Sequence, residues 1–284
     1  MQIIRDNTFQ SGFRLMGTDI LKTGKNAVDI LDNCGTATGS PVWRLAQWGS
    51  RFSLKNETCR RTDRGFLYSD PAKTFCADPS EGKVYLEILA EKEYDKPRVR
   101  GEAWPHLLLA QEFEQRYFLC DLKSVIFDMS FYVKVKENRM TAEDFDSQLH
   151  TGQFVWFVTV QNHNPQSPEY LDYFWFGLPQ CDLRYGTPRF FAKKDDGKRD
   201  STKKFINSID ARKYLPHDPT KGAVHYRYDA YADIAEGFRR AKAQGFLEKT
   251  EWEDLSFGSM NTGLEMPGTF NLGIEISKIG IEVG

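Results

Sequence analysis

From residue 42 onward, apolar and polar positions alternate with a period of two, and turn residues bound each run. That is the signature of strands with one buried face. Across residues 125–135, Val125, Phe127, Met129, Phe131, Val133 and Val135 fall on one side, with Asp128, Ser130, Tyr132 and Lys134 on the other. The spacing predicts a strand with a wholly apolar inner face. Residues 84–90 repeat the pattern with Val84, Leu86, Ile88 and Ala90, while 42–54 follow it less regularly and set Trp43 and Trp48 on opposite faces. Runs 154–160 and 170–178 read as aromatic-rich strands around a proline-containing turn, and 205–209 and 223–231 as strands flanking a loop with Pro216 and Pro219.

The period then changes. Between residues 230 and 247, Ile234, Phe238, Ala241 and Gly245 recur at helical spacing, with Arg239, Arg240 and Lys242 elsewhere on the wheel. This predicts one amphipathic helix stopping near Gly245. Strand spacing returns at Phe270, Leu272, Ile274 and Ile276 and continues through Ile279, Ile281 and Val283, which implies a terminal strand paired within a sheet. Many strands, one late helix and no alternating strand–helix rhythm give an all-β fold: a two-sheet antiparallel jelly-roll sandwich with one amphipathic helix near residues 230–247. The 284 residues contain no linker and are read as a single domain, 1–284, with 1–40, carrying glycines and the run T-A-T-G-S, as a loosely attached lead-in.

Composition narrows the function. The 38 Lys+Arg against 40 Asp+Glu leave a net charge of -2, which argues against nucleic acid or an anionic membrane surface as partner. The basic run Lys193 to Lys204 alternates with acids and reads as a solvated loop. Aromatics are abundant, with 21 Phe, 12 Tyr and 6 Trp, and suit both a sandwich core and stacking on sugar rings. A carbohydrate ligand is therefore the expected partner; nothing indicates oligomeric state. No apolar run reaches the roughly 18 residues of a membrane helix. The start lacks the basic-then-apolar order of a signal peptide, which points to the cytoplasm for the sequence as it stands, and to the exterior or periplasm if a leader precedes it. Five scattered cysteines (Cys34, Cys59, Cys76, Cys120, Cys181) exclude a full disulfide framework, leave room for one bridge and form no C-x-x-C pattern. Asn56-Glu57-Thr58 is a glycosylation-type triplet. Metal and cofactor are both expected to be none, because zinc, phosphate-loop and nucleophilic-serine strings are absent.

The candidate chemistry starts with residues 102–114, E-A-W-P-H-L-L-L-A-Q-E-F-E. Read as one strand, it sets Pro105, Leu107, Leu109 and Phe113 towards the core and Glu102, Trp104, His106 and Glu112 on the opposite face. Glycoside hydrolysis requires two carboxyl groups, roughly 5 Å apart for retention or 6.5–9.5 Å for inversion, one of them held protonated. Glu265, flanked by Leu264 and Met266, has the apolar setting that raises a carboxyl pKa. Glu112 and Glu102 are its candidate partners, and Trp104 the candidate stacking aromatic, with His106 beside it. Trp156 lies in a strand apolar on both sides and reads as core.

The ending S-F-G-S-M-N-T-G-L-E-M-P-G-T-F-N-L-G-I-E-I-S-K-I-G-I-E-V, preceded by H-Y-R-Y-D-A-Y and an alanine-rich helix, resembles the concanavalin A-like lectin/glucanase jelly rolls. Within them it is similar to glycoside hydrolase family twelve, whose catalytic glutamate sits in a G-x-E-type strand before a closing strand. The resemblance places Glu265 in that role. That family's partner glutamate lies in a hydrophobic strand close to a tryptophan, whereas residues 154–160 contain no acid. A second likeness is to the jelly-roll alginate lyases: Arg98-Val99-Arg100-Gly101-Glu102 and Gln161-Asn162-His163 resemble two of their motifs in order, while their tyrosine-lysine strand is missing. The leading expectation is a glycoside hydrolase using Glu265 with Glu112 or Glu102. The alternatives are a non-catalytic, lectin-like carbohydrate-binding protein and a polysaccharide lyase using His163, Gln161 and Arg100.

Overall fold

The computed structural model describes residues 1–24, 26–198 and 201–284. Two sheets face each other across a shared core. The larger, ten-stranded sheet contains β1 (Phe13–Met16), β2 (Ala27–Leu31), β3 (Trp43–Ala46), β8 (His106–Glu112), β10 (Gln153–Asn162), β11 (Tyr173–Gly177), β12 (Cys181–Asp182), β13 (Phe191–Lys194), β14 (Phe205–Ser208) and β16 (Leu255–Glu265). The seven-stranded sheet contains β4 (Arg60–Thr62), β5 (Gly65–Ser69), β6 (Lys73–Asp78), β7 (Lys83–Leu89), β9 (Val125–Asn138), β15 (Val224–Asp229) and β17 (Phe270–Val283). Their orders are β13-β14-β11-β10-β16-β8-β3-β1-β2, with β12 against β10, and β15-β9-β17-β7-β6-β5-β4. The all-β jelly-roll sandwich expected from the alternation is therefore the fold. It is antiparallel except at β1–β3 and β11–β14, which run parallel. Parallel neighbours need a long crossover, and the segments carrying β2 and carrying β12 and β13 supply it.

The inner faces interdigitate as the period of two dictates. Val125, Phe127, Met129, Phe131 and Val133 of β9 meet Phe154, Trp156, Val158 and Val160 of β10, with the Phe127 and Trp156 rings edge-to-face at 4.9 Å. Trp156 is core, as its two-sided apolar strand implies. β17 lies between β7 and β9, so the terminal strand is paired along its length. α1 (Ile20–Thr23) and α2 (Ala90–Glu93) are single turns, and α3 (Tyr231–Ala243) is the expected amphipathic helix, burying Ile234, Phe238 and Ala241 before Gly245 at φ +79°.

Residues 1–40 are not a loose lead-in. Phe9, Phe13 and Leu15 are fully buried, the Ile3 amide donates to the Ile281 carbonyl at 2.9 Å, and β1 and β2 extend the large sheet. Cys34 and Cys59 form a disulfide bridge, tying this segment to the small sheet's edge. Within the basic run 193–204, Lys193 and Lys194 end the exposed strand β13, and Arg199 and Asp200 lie outside the described residues.

Candidate functional site

The face of the large sheet that looks away from the core carries a second, smaller apolar cluster. Met16, Ala46, Leu108 and Val155 are buried there although they point away from the core, with Trp48 and Phe157 packed on them. Around them stand half-buried Trp175 and Tyr173 of β11, Gln161 of β10, and Ser259 and Asn261 of β16, with Thr159 of β10 buried beside Ser259. Aromatic rings continue along the floor: Phe157 and Trp175 are edge-to-face at 6.1 Å, and Trp175 and Tyr173 at 5.4 Å. Flat apolar rings beside amide and hydroxyl groups match the amphipathic surface of a sugar.

Glu265 closes β16 at one end of this face. Its register neighbours are His106 on β8 and Gln153 on β10. Paired residues on adjacent antiparallel strands stand about 4.5–5.5 Å apart at Cβ, so these are the strand positions from which a partner carboxylate would act at retaining distance. Neither is an acid. The Glu265 carboxylate accepts from Trp104 Nε1 at 3.1 Å and lies 3.8 Å from His106 Nε2. Burial pushes its pKa up and the charge of Asp195 pushes the same way, with Lys198 and the Trp104 hydrogen bond opposing. A fifth of its side chain, 19%, still reaches solvent, so a ligand can touch it.

His106 and Trp104 are a packed unit. Their rings stack at 5.9 Å, and Lys198 Nζ lies 4.5 Å from the Trp104 ring centroid and 3.1 Å from His106 Nε2. An ammonium only donates, so His106 Nε2 carries the lone pair and Nδ1–H donates to the Trp48 carbonyl at 3.1 Å. Burial and the Lys198 charge together push the His106 pKa well below its ordinary value. The imidazole is neutral and positions the Trp104–Glu265 contact. The Arg98 guanidinium also lies 5.1 Å from the Trp104 ring and donates to the carbonyls of Pro267, Leu149 and Glu102. A β-carbon on Gly197 would touch Trp104 Cη2 at 3.4 Å, so the hairpin after β13 rests on the tryptophan.

Other expected partners are elsewhere. β8 begins at His106, so Glu102 and Trp104 lie on a loop and the alternation over 102–106 does not come from a strand. Pro105, which has no amide proton, precedes the first paired residue. Glu102 accepts from the Val99 amide at 2.9 Å, within its own turn. Glu112 is on the expected face, but six residues beyond His106, about 20 Å along the strand. It pairs with Arg44 Nη1 at 3.0 Å. No hydrolytic pair of Glu265 with Glu112 is assembled. Gln161 and His163 lie towards the other end of β10, Gln161 being eight residues from Gln153 and so about 27 Å away. Gln161 Nε2 donates to the Leu171 carbonyl and His163 Nδ1 meets Ser256 Oγ at 2.7 Å. Arg100 is exposed on the loop before Trp104, so it does not share a groove with His163, and the lyase constellation is not formed.

Lys198, Arg98 and Gln153 escaped the sequence reading. Lys198 reaches His106 across 92 positions of chain, and no local pattern encodes that contact. Arg98 lies two residues from Arg100, and nothing local in the sequence singles it out as the arginine that meets Trp104.

No protein-family model matches the chain, and no curated protein matches it. Similar solved structures include a meso-active, thermo-stable cellulase derived from Cel12A of Rhodothermus marinus, 10% identical with TM-score 0.44 over 80% of this chain and 99% of that one. A family 12 xyloglucanase from Bacillus licheniformis is 9% identical, TM-score 0.44, over 80% and 97%. The xyloglucanase domain of NopAA, a type three effector from Sinorhizobium fredii, solved with cellobiose, is 10% identical, TM-score 0.39, over 80% and 96%.

Proposed function

We propose that the outer face of the large sheet binds a carbohydrate chain. The observation that carries this reading is the floor of partly exposed rings, Trp48, Phe157, Tyr173 and Trp175, interleaved with Thr159, Gln161, Ser259 and Asn261 on one sheet face. Such a floor supplies stacking surfaces and hydrogen-bond groups side by side. Affinity electrophoresis through gels loaded with soluble polysaccharides tests it. At least one polymer retards the protein, and Trp175→Ala, which removes a half-exposed ring, weakens that retardation about tenfold. Unretarded migration through every polymer contradicts the reading.

One observation favours a hydrolytic version of the same site. Asp195 is the carboxylate whose charge acts on Glu265, and it lies on the hairpin that rests against Trp104. In that version Glu265 is the proton donor and Asp195 the base that activates water. Reducing-sugar release from the polymer that binds, abolished by both Glu265→Gln and Asp195→Asn with binding retained, supports it. Release that survives Glu265→Gln overturns it, and a wild-type protein that binds without release leaves the site a binding surface.

A further inference from the structure

The opposite side of the same face holds a cavity of about 260 Å³ that the carbohydrate reading above does not use. Arg5, Arg14, Val42, Arg44, Glu112 and Glu114 line it. Arg14 of β1 and Arg44 of β3 are direct register neighbours on a parallel pair. Their flanking residues Phe13, Leu15, Trp43 and Leu45 all point into the core, so both guanidiniums rise from the outer face. Adjacent strands are about 4.8 Å apart, and like charges placed side by side at that spacing are destabilising unless something answers them. Arg44 is answered by Glu112 at 3.0 Å and Arg5 by Glu114 at 2.9 Å. Among the described residues Arg14 has no ion-pair partner, so three arginines face two carboxylates and the positive excess falls in the cavity mouth.

We propose that this cavity is a subsite for the carboxylate of an acidic sugar, which makes the carbohydrate a uronate-bearing one. A guanidinium fork matches a planar carboxylate in two parallel hydrogen bonds, and Arg14 beside Arg44 presents two forks to one anion. Arg44 pairs in register with Ala110, four residues along β8 from His106, and Glu265 pairs with His106 from the other side of β8, so Arg44 lies two strands over and about 17 Å from Glu265 on the same sheet face. A single oligosaccharide spans both. Glu112 and Glu114 hold Arg44 and Arg5 in place and leave room for one further negative charge.

This inference rests on the carbohydrate reading, and the test separates the two. Polygalacturonate, alginate and glucuronoxylan, each alongside its carboxyl-reduced form, are used in affinity electrophoresis with the wild-type chain and with Arg14→Ala and Arg14→Gln. Arg14 is solvent-exposed, so both variants are expected to fold, and their melting curves check this. At least one uronate polymer binds about tenfold or more tightly than its reduced form, raised salt erodes the difference, and both variants lose it while keeping the affinity for the reduced form. Binding that ignores carboxyl reduction, or discrimination that survives both variants, overturns the subsite alone. Failure of every polymer, charged or reduced, overturns the carbohydrate reading and the subsite with it.

Discussion

At the scale of single residues, Glu265 is a carboxyl held where its charge is unwelcome. Its folded pKa lies above the ordinary carboxylate value because burial outweighs Lys198 and Trp104. A raised acid pKa contributes stability that is present below the unfolded value and is lost as pH rises through the folded one. The neutral variant Glu265→Gln is therefore expected to be more stable than wild type at pH 7, by about 2–4 °C in melting midpoint, with the gap closing towards pH 4. A variant less stable at pH 7 shows instead that the Lys198 and Trp104 contacts dominate. His163 has the opposite sign. Burial, aided by the Arg116 charge, pushes its pKa down to about 4, so its contribution is present above about pH 6.5 and is lost as pH falls towards 4. The melting midpoint should fall across that window, less steeply in His163→Gln; equal slopes contradict the assignment.

At the scale of elements, the strand edges decide what the site contains. Gly263 sits in β16 at φ +145°, and a β-carbon there would lie 2.3 Å from the Leu107 carbonyl of β8. Gly263 pairs with Leu108 of β8, two residues before Glu265. Gly263→Ala is expected to cost about 1–3 kcal/mol, read as a lower urea midpoint, and to weaken carbohydrate binding; an unchanged midpoint means the strands part freely. Sequence spacing identified β8 and its two faces from His106 onward, because Leu107, Leu109 and Phe113 all need the core. It extended the strand too far at Glu102, since alternation alone does not reveal where hydrogen-bond pairing starts. It left β4 and β13 unassigned for a different reason. Arg60–Thr62 and Phe191–Lys194 are exposed at every position, so no buried face imprints a pattern on them.

For the whole molecule, the sandwich follows from a few long alternating runs. β9, β10 and β17 bury the large side chains that join the two sheets, each worth roughly 1.5–3 kcal/mol on leaving water. Residues 1–40 were misread because Phe9, Phe13, Leu15 and Leu31 are separated by glycines and polar turns, although each of the four is buried. The site was partly legible: Glu265, Trp104 and His106 were selected from sequence and do meet, while the second acid of each expected pair did not arrive. Proximity across strands depends on register, and register is set by long-range pairing that a single sequence does not display. The placement of the ligand on the outer face of the large sheet is the claim on which the rest depends. A crystal structure with an oligosaccharide from the best-retained polymer tests it directly. The account predicts sugar rings lying along that face, stacked on Trp175 or Trp48, with one end towards Arg14. An oligosaccharide ordered on the small sheet or at the sandwich edge, with the outer face empty, would contradict it.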